Sequence, residues 1–267
     1  MSVSEIPAQR ARKFKTGRTI LALVLREMQT TYGRSPGGYL WALLEPVGSI
    51  AVFTLVISIG LKIRTPSLGT NFPLFYATGI LPFSLYGETT NKITSAIRFS
   101  RQLLRYPGVR YTDAIIARLA LNFLTHLLVA YVIMTGIIIL FDQDVTLNVP
   151  AIALSFVLAA MLGLGVGSVN CFLMGWFPVW SQIWSILTRP LFLLSTVIYS
   201  FEQVPWRWQD VLWYNPLIHV VGLMRRGIYP YYEAEYASPL YVLGVSLICL
   251  AFGLGMLHRF HREMLIR

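Results

Sequence analysis

The residue types that catalyse reactions are present in this chain, but their spacing does not favour a reaction site. The four histidines are scattered: His126, His219, His258 and His261. Asp142 and Asp144 resemble a carboxylate pair, yet they lie in a short turn, where solvated acids are expected. The patterns GxxxxGK[ST], HExxH and GxSxG are absent. We therefore expect no catalytic residues, no metal site and no P-loop ATP hydrolysis in this chain.

Four ionisable residues interrupt the apolar stretches: Glu45, Glu88, Arg118 and Arg189. A charge at the centre of a membrane helix costs roughly 2.5–3.5 kcal/mol, and less near its ends. Glu88 and Arg118 lie near the ends of their stretches, where we expect both to reach interfacial water. Arg189 lies in mid-stretch, so it must pair with a carboxylate or face a wet cavity. For Glu45 and Glu88, structural pairing and substrate contact are both open.

The elements that must position these residues are membrane helices. The chain is 55% hydrophobic and 13% charged, with a mean hydropathy of +0.60. About 20 apolar residues are needed to cross a bilayer as a helix. Six stretches meet that need, which predicts an all-α integral membrane protein with spans at 39–61, 72–91, 114–141, 150–173, 179–200 and 240–258.

Basic residues between the spans predict the orientation. Residues 1–38, 92–113 and 259–267 carry fifteen Lys and Arg, whereas the connections on the other side carry five. Because basic loops stay in the cytoplasm, we expect both termini there. The prediction is a single transmembrane domain over 1–267, with a cytoplasmic tail and interfacial helix at 1–38, spans within 39–258 and a second tail at 259–267. Nucleic-acid binding is not expected, since the positive charge lies between the hydrophobic stretches.

A first cytoplasmic element is predicted in TGRTILALVLREMQTTYGRS. Apolar residues recur at helical spacing, while polar residues, Glu27 among them, occupy other faces. This pattern is typical of an amphipathic helix lying on an anionic inner leaflet. Packing against another subunit is the alternative.

A second cytoplasmic element is predicted after the second span. Arg98, Arg101 and Arg105 share one helical face, and Ile97 and Leu104 lie on the other. An exposed helix at this position is suited to dock on a soluble partner. A solvated or lipid-attracted basic face explains the same pattern.

The outer connection 201–239 contains YNPLIHVVGLMRRGIYP. Its apolar run, Leu217 to Met224, is too short to cross a bilayer, so it is re-entrant, interfacial or covered by other helices. We expect two short helices that dip into the outer leaflet, and Asn215-Pro216 is a turn or helix-start signal. Arg225 and Arg226 would then reach outer-leaflet phosphates, with structural anchoring as the alternative.

Several runs of the sequence are similar to those of one transporter family. LVLREMQTTYGRSPGGYLWALLEP, GILPFSLYGETTNKI, RYPGVRYTDAIIAR and LWYNPLIHVVGLMRRGIYPYY occur in the family's order and spacing over nearly the whole chain. The chain resembles the permease subunits of type-2 ABC exporters for bacterial cell-surface polysaccharides, above all those of capsular polysaccharide in Gram-negative bacteria.

The resemblance implies a set of partners. Such permeases are homodimers that pair with two copies of a separate ATPase, which binds ATP and Mg²⁺, so no cofactor is expected in this chain. The cytoplasmic helix becomes the coupling helix, formed by Ile97, Arg98, Arg101, Leu104, Arg105 and Tyr106. The substrate is a lipid-linked, often acidic polysaccharide, which passes to a periplasmic adaptor and an outer-membrane channel.

The resemblance also suggests a substrate path. Trp176, Trp180 and Trp184 would form one aromatic stripe at the cytoplasmic mouth if their helix is continuous. Pro178 lies between them, and an ordinary interfacial belt is the alternative. Arg189 is the candidate for attracting a carboxylated sugar, and Glu45, Glu88, Arg225 and Arg226 are further candidates. Alternatives are an exporter for O-antigen, teichoic acid or a small drug, or a membrane-embedded glycosyl- or acyltransferase.

Overall fold

The computed structural model describes residues 15–32, 38, 40–60, 65–102, 110–143 and 145–266. Within these ranges no strand occurs, which confirms the all-α prediction. The helices are α1 Lys15–Tyr32, α2 Leu40–Leu55, α3 Phe72–Thr94, α4 Ala96–Phe99, α5 Tyr111–Leu140, α6 Val149–Trp176, α7 Trp180–Leu194, α8 Trp206–Trp213, α9 Pro216–Ile228 and α10 Pro239–Ile266. A π-helical turn, Val56–Gly60, extends α2, and a 3₁₀ turn, Phe201–Gln203, precedes α8.

Four helices of the described chain are long and apolar enough to cross a membrane: Leu40–Ser58, Tyr111–Leu140, Val149–Trp176 and Pro239–Phe260. They match four of the six predicted spans. The other two predicted spans correspond to α3 and α7, which are not among them. α3 carries Glu88 and Lys92 in its last two turns, and α7 has only 15 residues.

Asparagine and proline together set the start of three helices. The side chains of Asn71, Asn148 and Asn215 each accept a hydrogen bond from a backbone N–H in the first turn, at 3.2, 3.3 and 3.1 Å. Proline follows within the first two helical positions in all three. Its missing N–H is harmless there, because first-turn donors have no partner inside the helix. Of the two readings open for Asn215-Pro216, a turn or a helix start, the structure shows the helix start.

α6 is the central helix of the bundle, and it packs against α3 on one side and α10 on the other. Glycines allow both approaches. A Cβ atom on Gly163 would lie 2.8 Å from Cβ of Thr89 on α3, and one on Gly165 would lie 2.5 Å from the carbonyl oxygen of Ser246 on α10. Small residues let membrane helices pack closely where apolar burial gives no advantage over lipid.

The apolar run in α9 belongs to the core. All eight residues from Leu217 to Met224 are buried, and α9 packs against α3, α6 and α10. The sequence allowed a re-entrant segment, an interfacial segment or a segment covered by other helices. The structure shows a segment covered by other helices. The two short helices predicted in this connection are present as α8 and α9.

α7 ends at Leu194, six residues before the predicted end of the fifth span. Thr196 has φ +54°, a left-handed conformation that is rare for a β-branched residue and ends the helix. The chain from Ser195 to Ser200 is buried at both ends and packs closely on α3, where a Cβ on Gly79 would lie 2.6 Å from the carbonyl oxygen of Val197. The predicted boundary at Ser200 is therefore wrong.

Candidate functional site

A polar cavity of about 360 Å³ opens between α2, α3 and α5. Glu45 on α2 and Glu88 on α3 both line it, so the structure brings together two of the predicted site residues. The remaining lining includes Trp41, Lys92 and His126. Polar groups are costly among membrane helices and typically face a wet cavity or the bundle interior.

The cavity offers hydrogen-bonding groups of several kinds. Neither Glu45 nor Glu88 forms an ion pair with another described residue. Glu88 lies one helical turn before Lys92, whose ammonium it attracts. Ser49, Ser84 and Thr125 add hydroxyl groups, and the Trp41 indole adds an aromatic face. Such a lining suits a ligand rich in hydroxyl groups, because carboxylates accept and indoles stack.

Arg189 does not reach this cavity. It lies on α7, about 14 Å along the axis from Trp180, and its side chain is exposed. No side chain of α7 is buried. The helix is held through Phe192, which stacks on Phe53 at 5.2 Å and meets Phe83 edge-on at 5.3 Å. Arg189 has no ion pair with another described residue, so of the two alternatives for Arg189, pairing with a carboxylate is not seen within the described chain.

The three tryptophans do not lie on one continuous helix, which the aromatic stripe would require. α6 ends at Trp176 and α7 begins at Trp180, because Phe177 is extended and Pro178 follows it. Trp176 packs against Phe260 of α10 at 5.0 Å. The Trp180 indole N–H donates to Asn170 Oδ1 at 2.8 Å, and Trp184 lies one turn further along α7. The helix is not continuous, so the condition for one aromatic face is not met, and the interfacial belt stays a prediction.

The two adjacent arginines of α9 have opposite environments. Arg225 is fully buried and donates to the carbonyl oxygens of Tyr199 at 2.8 Å and Val197 at 3.0 Å. Its guanidinium also lies 4.3 Å from the centroid of the Phe75 ring. Arg226 is exposed. The expected pair of phosphate-binding arginines is therefore not found, since neighbours on a helix point in different directions.

Burial dominates the electrostatics around Arg225 and α9. It lowers the pKa of Arg225, against the opposing effect of nearby Tyr236. It raises the pKa of Tyr236 to about 12 and lowers the pKa of His219. His219 Nδ1 lies 3.2 Å from the Ser238 amide nitrogen and 3.1 Å from the Tyr236 carbonyl oxygen, and Nε2 lies 2.8 Å from the Trp213 carbonyl oxygen. These contacts fix α9 against the segments before and after it.

The predicted coupling helix is described only in its first part. α4 ends at Phe99, and Ser100 to Gln102 form a turn, so the predicted continuous helix is interrupted there. Ile97 is buried, Arg98 is exposed and Arg101 is partly exposed. Leu104, Arg105 and Tyr106 lie outside the described residues. We call residues 96–102 the basic segment.

A buried ion pair beside the basic segment was not predicted. Arg118 of α5 and Glu27 of α1 are 5% and 6% exposed, and Arg118 Nε lies 3.0 Å from Glu27 Oε1. The expectation that Arg118 reaches interfacial water is wrong, because α1 covers it. Burial raises the pKa of Glu27, and the Arg118 guanidinium opposes that shift. The only signal in the sequence is that Arg118 shares a helical face with the small or apolar Ala114 and Leu121.

A second cavity, of about 690 Å³, lies at the end of the bundle that carries α8. Glu202, Glu233 and Glu235 line it together with Tyr231 and Tyr232. Among the described residues, no three His, Cys, Asp or Glu side chains are grouped so as to hold a metal ion. The site as a whole therefore consists of polar cavities and a basic segment joined by apolar helices.

Apolar helices with polar residues between them occur in many membrane proteins, so they do not identify a family. Comparison with known families does. Residues 18–229 match the ABC-2 type transporter family, and the chain belongs to that family.

Its relatives include inner-membrane export proteins. The chain is 29% identical to the polysialic acid transport protein KpsM of Escherichia coli, over 93% of this chain and 95% of that protein. It is 28% identical to the capsule polysaccharide export inner-membrane protein CtrC of Neisseria meningitidis, over 92% of both chains. Identity to the O-antigen export system permease protein RfbA of Klebsiella pneumoniae is 20%, over 90% and 93%.

Proposed function

We propose that this chain is the inner-membrane permease of an ABC exporter for capsular polysaccharide. The observation that carries the proposal is the correspondence to capsule export proteins over more than nine-tenths of both chains. The O-antigen permease matches over a similar length at lower identity, so the capsule substrate is favoured.

The polar cavity supports a role in the substrate path. A sugar chain needs hydroxyl partners and aromatic faces, and strong binding would stall its movement. Glu45, Glu88 and Trp41 supply such contacts. The two carboxylates also repel an acidic polymer, which keeps its contact with the wall brief.

The exposed side chains of α7 support the proposal that the chain forms a homodimer. An exposed arginine in mid-helix cannot face lipid at low cost, so Arg189 must meet water or a second protein surface. The exposed apolar residues on α7, Ile183, Ile186 and Leu187, provide a surface for a second copy. A conduit between two copies would place Arg189 where an acidic sugar passes.

The basic segment supports docking of a separate ATPase. Arg98 is exposed on α4, which follows α3 directly, and Ile97 anchors α4 in the bundle. ATP binding by the partner would move the basic segment, and rigid-body motion of the two permease copies would open or close the conduit. An adaptor and an outer-membrane channel would take the polymer onward. Both termini face the cytoplasm in this arrangement, as the distribution of basic residues predicts.

Deletion of the gene in its native host tests the substrate. We expect surface capsule to disappear, polysaccharide to accumulate inside the cell, and O-antigen to remain, with recovery when the wild-type chain is supplied. Loss of O-antigen with intact capsule would instead assign the chain to O-antigen export.

A further inference from the structure

One side chain of α5 touches three other elements at the base of the basic segment. Arg118 Nη1 donates to the carbonyl oxygen of Lys92 at 2.6 Å and to Ser95 Oγ at 2.9 Å, at the end of α3. Its Nε lies 3.0 Å from Glu27 of α1. Its guanidinium lies 4.1 Å from the centroid of the Phe99 ring on α4. Arg118 thus joins α1, α3 and α4 to α5.

The contacts leave little room for independent movement. The gap among Leu23, Arg26, Phe99 and Ala117 is only about 10 Å³. The Phe99 ring also lies 6.0 Å from the guanidinium of Arg26 on α1. Close packing of this kind transmits a displacement, because the neighbours cannot absorb it.

α4 depends on these neighbours for its orientation. It has four residues, too few to be stable without tertiary packing. On one side Ile97 packs in a small apolar cluster with Ile93, Ile115 and Leu257. On the other side Phe99 is held by the arginines of α1 and α5.

We propose that Arg118 is the positioning residue through which movement of the basic segment reaches α5 and α1. The proposal rests on the proposed function, since it requires a partner ATPase that moves the basic segment. α1 then travels with α5 as one body during transport, because the planar guanidinium of Arg118 binds both through its several donors. We call Arg118 and its contacts to α1, α3 and α4 the joint.

Arg118→Lys and Phe99→Leu test the joint. Lysine keeps the charge but loses the fork of donors, and leucine keeps the apolar volume but loses the ring. Arg259→Lys is the matched control, because Arg259 is exposed on α10. In complexes purified with the partner ATPase, we expect hydrolysis to stay within about twofold of wild type while surface capsule falls about tenfold. The control should export normally.

Either of two results would overturn the proposal: unchanged capsule in both variants, or capsule reduced only in proportion to the permease remaining in the membrane. The second result would indicate a purely structural role.

A spin label on α1 separates failure of the joint from failure of the proposed function. Leu21 is 60% exposed, so Leu21→Cys can be labelled in a background with Cys171→Ala and Cys249→Ser. We expect a non-hydrolysable ATP analogue to change the distance between the labels of two copies in the wild-type complex and not in Arg118→Lys. An equal change in both complexes refutes the joint. A wild-type complex without a second copy or an ATPase refutes the proposed function.

Discussion

Arg225 and Arg226 show how much the role of a residue depends on its position around a helix. Arg225 lies four and seven residues after Val221 and Ile218, on a face that packs into the bundle, and it satisfies two carbonyl groups after the end of α7. Those carbonyls lie in a stretch without regular structure, where a buried acceptor needs a donor from elsewhere. Helical spacing in the sequence can indicate the inward face, but it cannot indicate that α7 unwinds opposite it.

Separate substitution of the two arginines should give opposite results. Arg225→Ala removes two charged hydrogen bonds and leaves a void, so we expect the free energy of unfolding to fall by about 2–4 kcal/mol. Arg226→Ala is the neighbouring control and should change it by less than about 0.5 kcal/mol. Denaturation of the purified permease in detergent measures both. Equal losses of stability in the two variants would contradict the structural role assigned to Arg225.

His219 should make the stability of the protein depend on pH. Burial lowers the pKa of His219 in the folded state below its ordinary value of about 6.5, so the unfolded chain takes up a proton first as pH falls. Its stabilising contribution is complete above pH about 6.5 and is lost progressively below it.

Between pH 6.5 and 5.5, we expect wild type to lose up to about 1 kcal/mol more stability than His219→Gln, which cannot titrate. Unfolding of the two proteins at both pH values measures the difference. Parallel losses in the two proteins would show that other groups govern the acid response.

Among the elements, helix starts were easier to predict than helix ends. Asparagine followed by proline marks the start of α9 in the sequence, because both residues act locally. The end of α7 at Leu194 depends on the left-handed Thr196 and on bonds from Arg225, which are tertiary. The break between α6 and α7 was different, since Pro178 marks it in the sequence and rules out one tryptophan stripe across it. The cavity between α2, α3 and α5 required the relative positions of three helices, which periodicity does not give.

The close approach of α3 and α6 should be sensitive to a single methyl group. A Cβ on Gly163 would lie 2.8 Å from Thr89 Cβ and 2.9 Å from the Tyr86 carbonyl oxygen, so Gly163→Ala must displace α3. We expect a loss of about 1–3 kcal/mol in stability.

Gly136→Ala on α5 is the matched control, because nothing lies within 4 Å of its added Cβ. It should leave stability unchanged or raise it by up to about 1 kcal/mol. Thermal unfolding in the same detergent compares the two. A neutral Gly163→Ala would mean that α3 and α6 are less tightly packed than the structure shows.

At the scale of the whole molecule, composition and hydropathy predicted an all-helical membrane protein, and similarity over nearly the full chain indicated its family. These properties are spread over many residues, so single errors do not change them. The polar contacts between helices, in contrast, each depend on one or two residues. The Glu27–Arg118 pair links residues 91 positions apart, and no local pattern in the sequence joins them.

The central claim is that this chain forms a polysaccharide conduit driven by a separate ATPase. The most direct measurement uses inverted inner-membrane vesicles that contain the chain, its partner ATPase and the capsular polysaccharide. Movement is followed as protection of the polysaccharide from an added degrading enzyme. The account predicts protection only when ATP, the ATPase and this chain are all present, and none when the ATPase cannot hydrolyse ATP. Protection without the ATPase, or ATP hydrolysis by this chain alone, would contradict it.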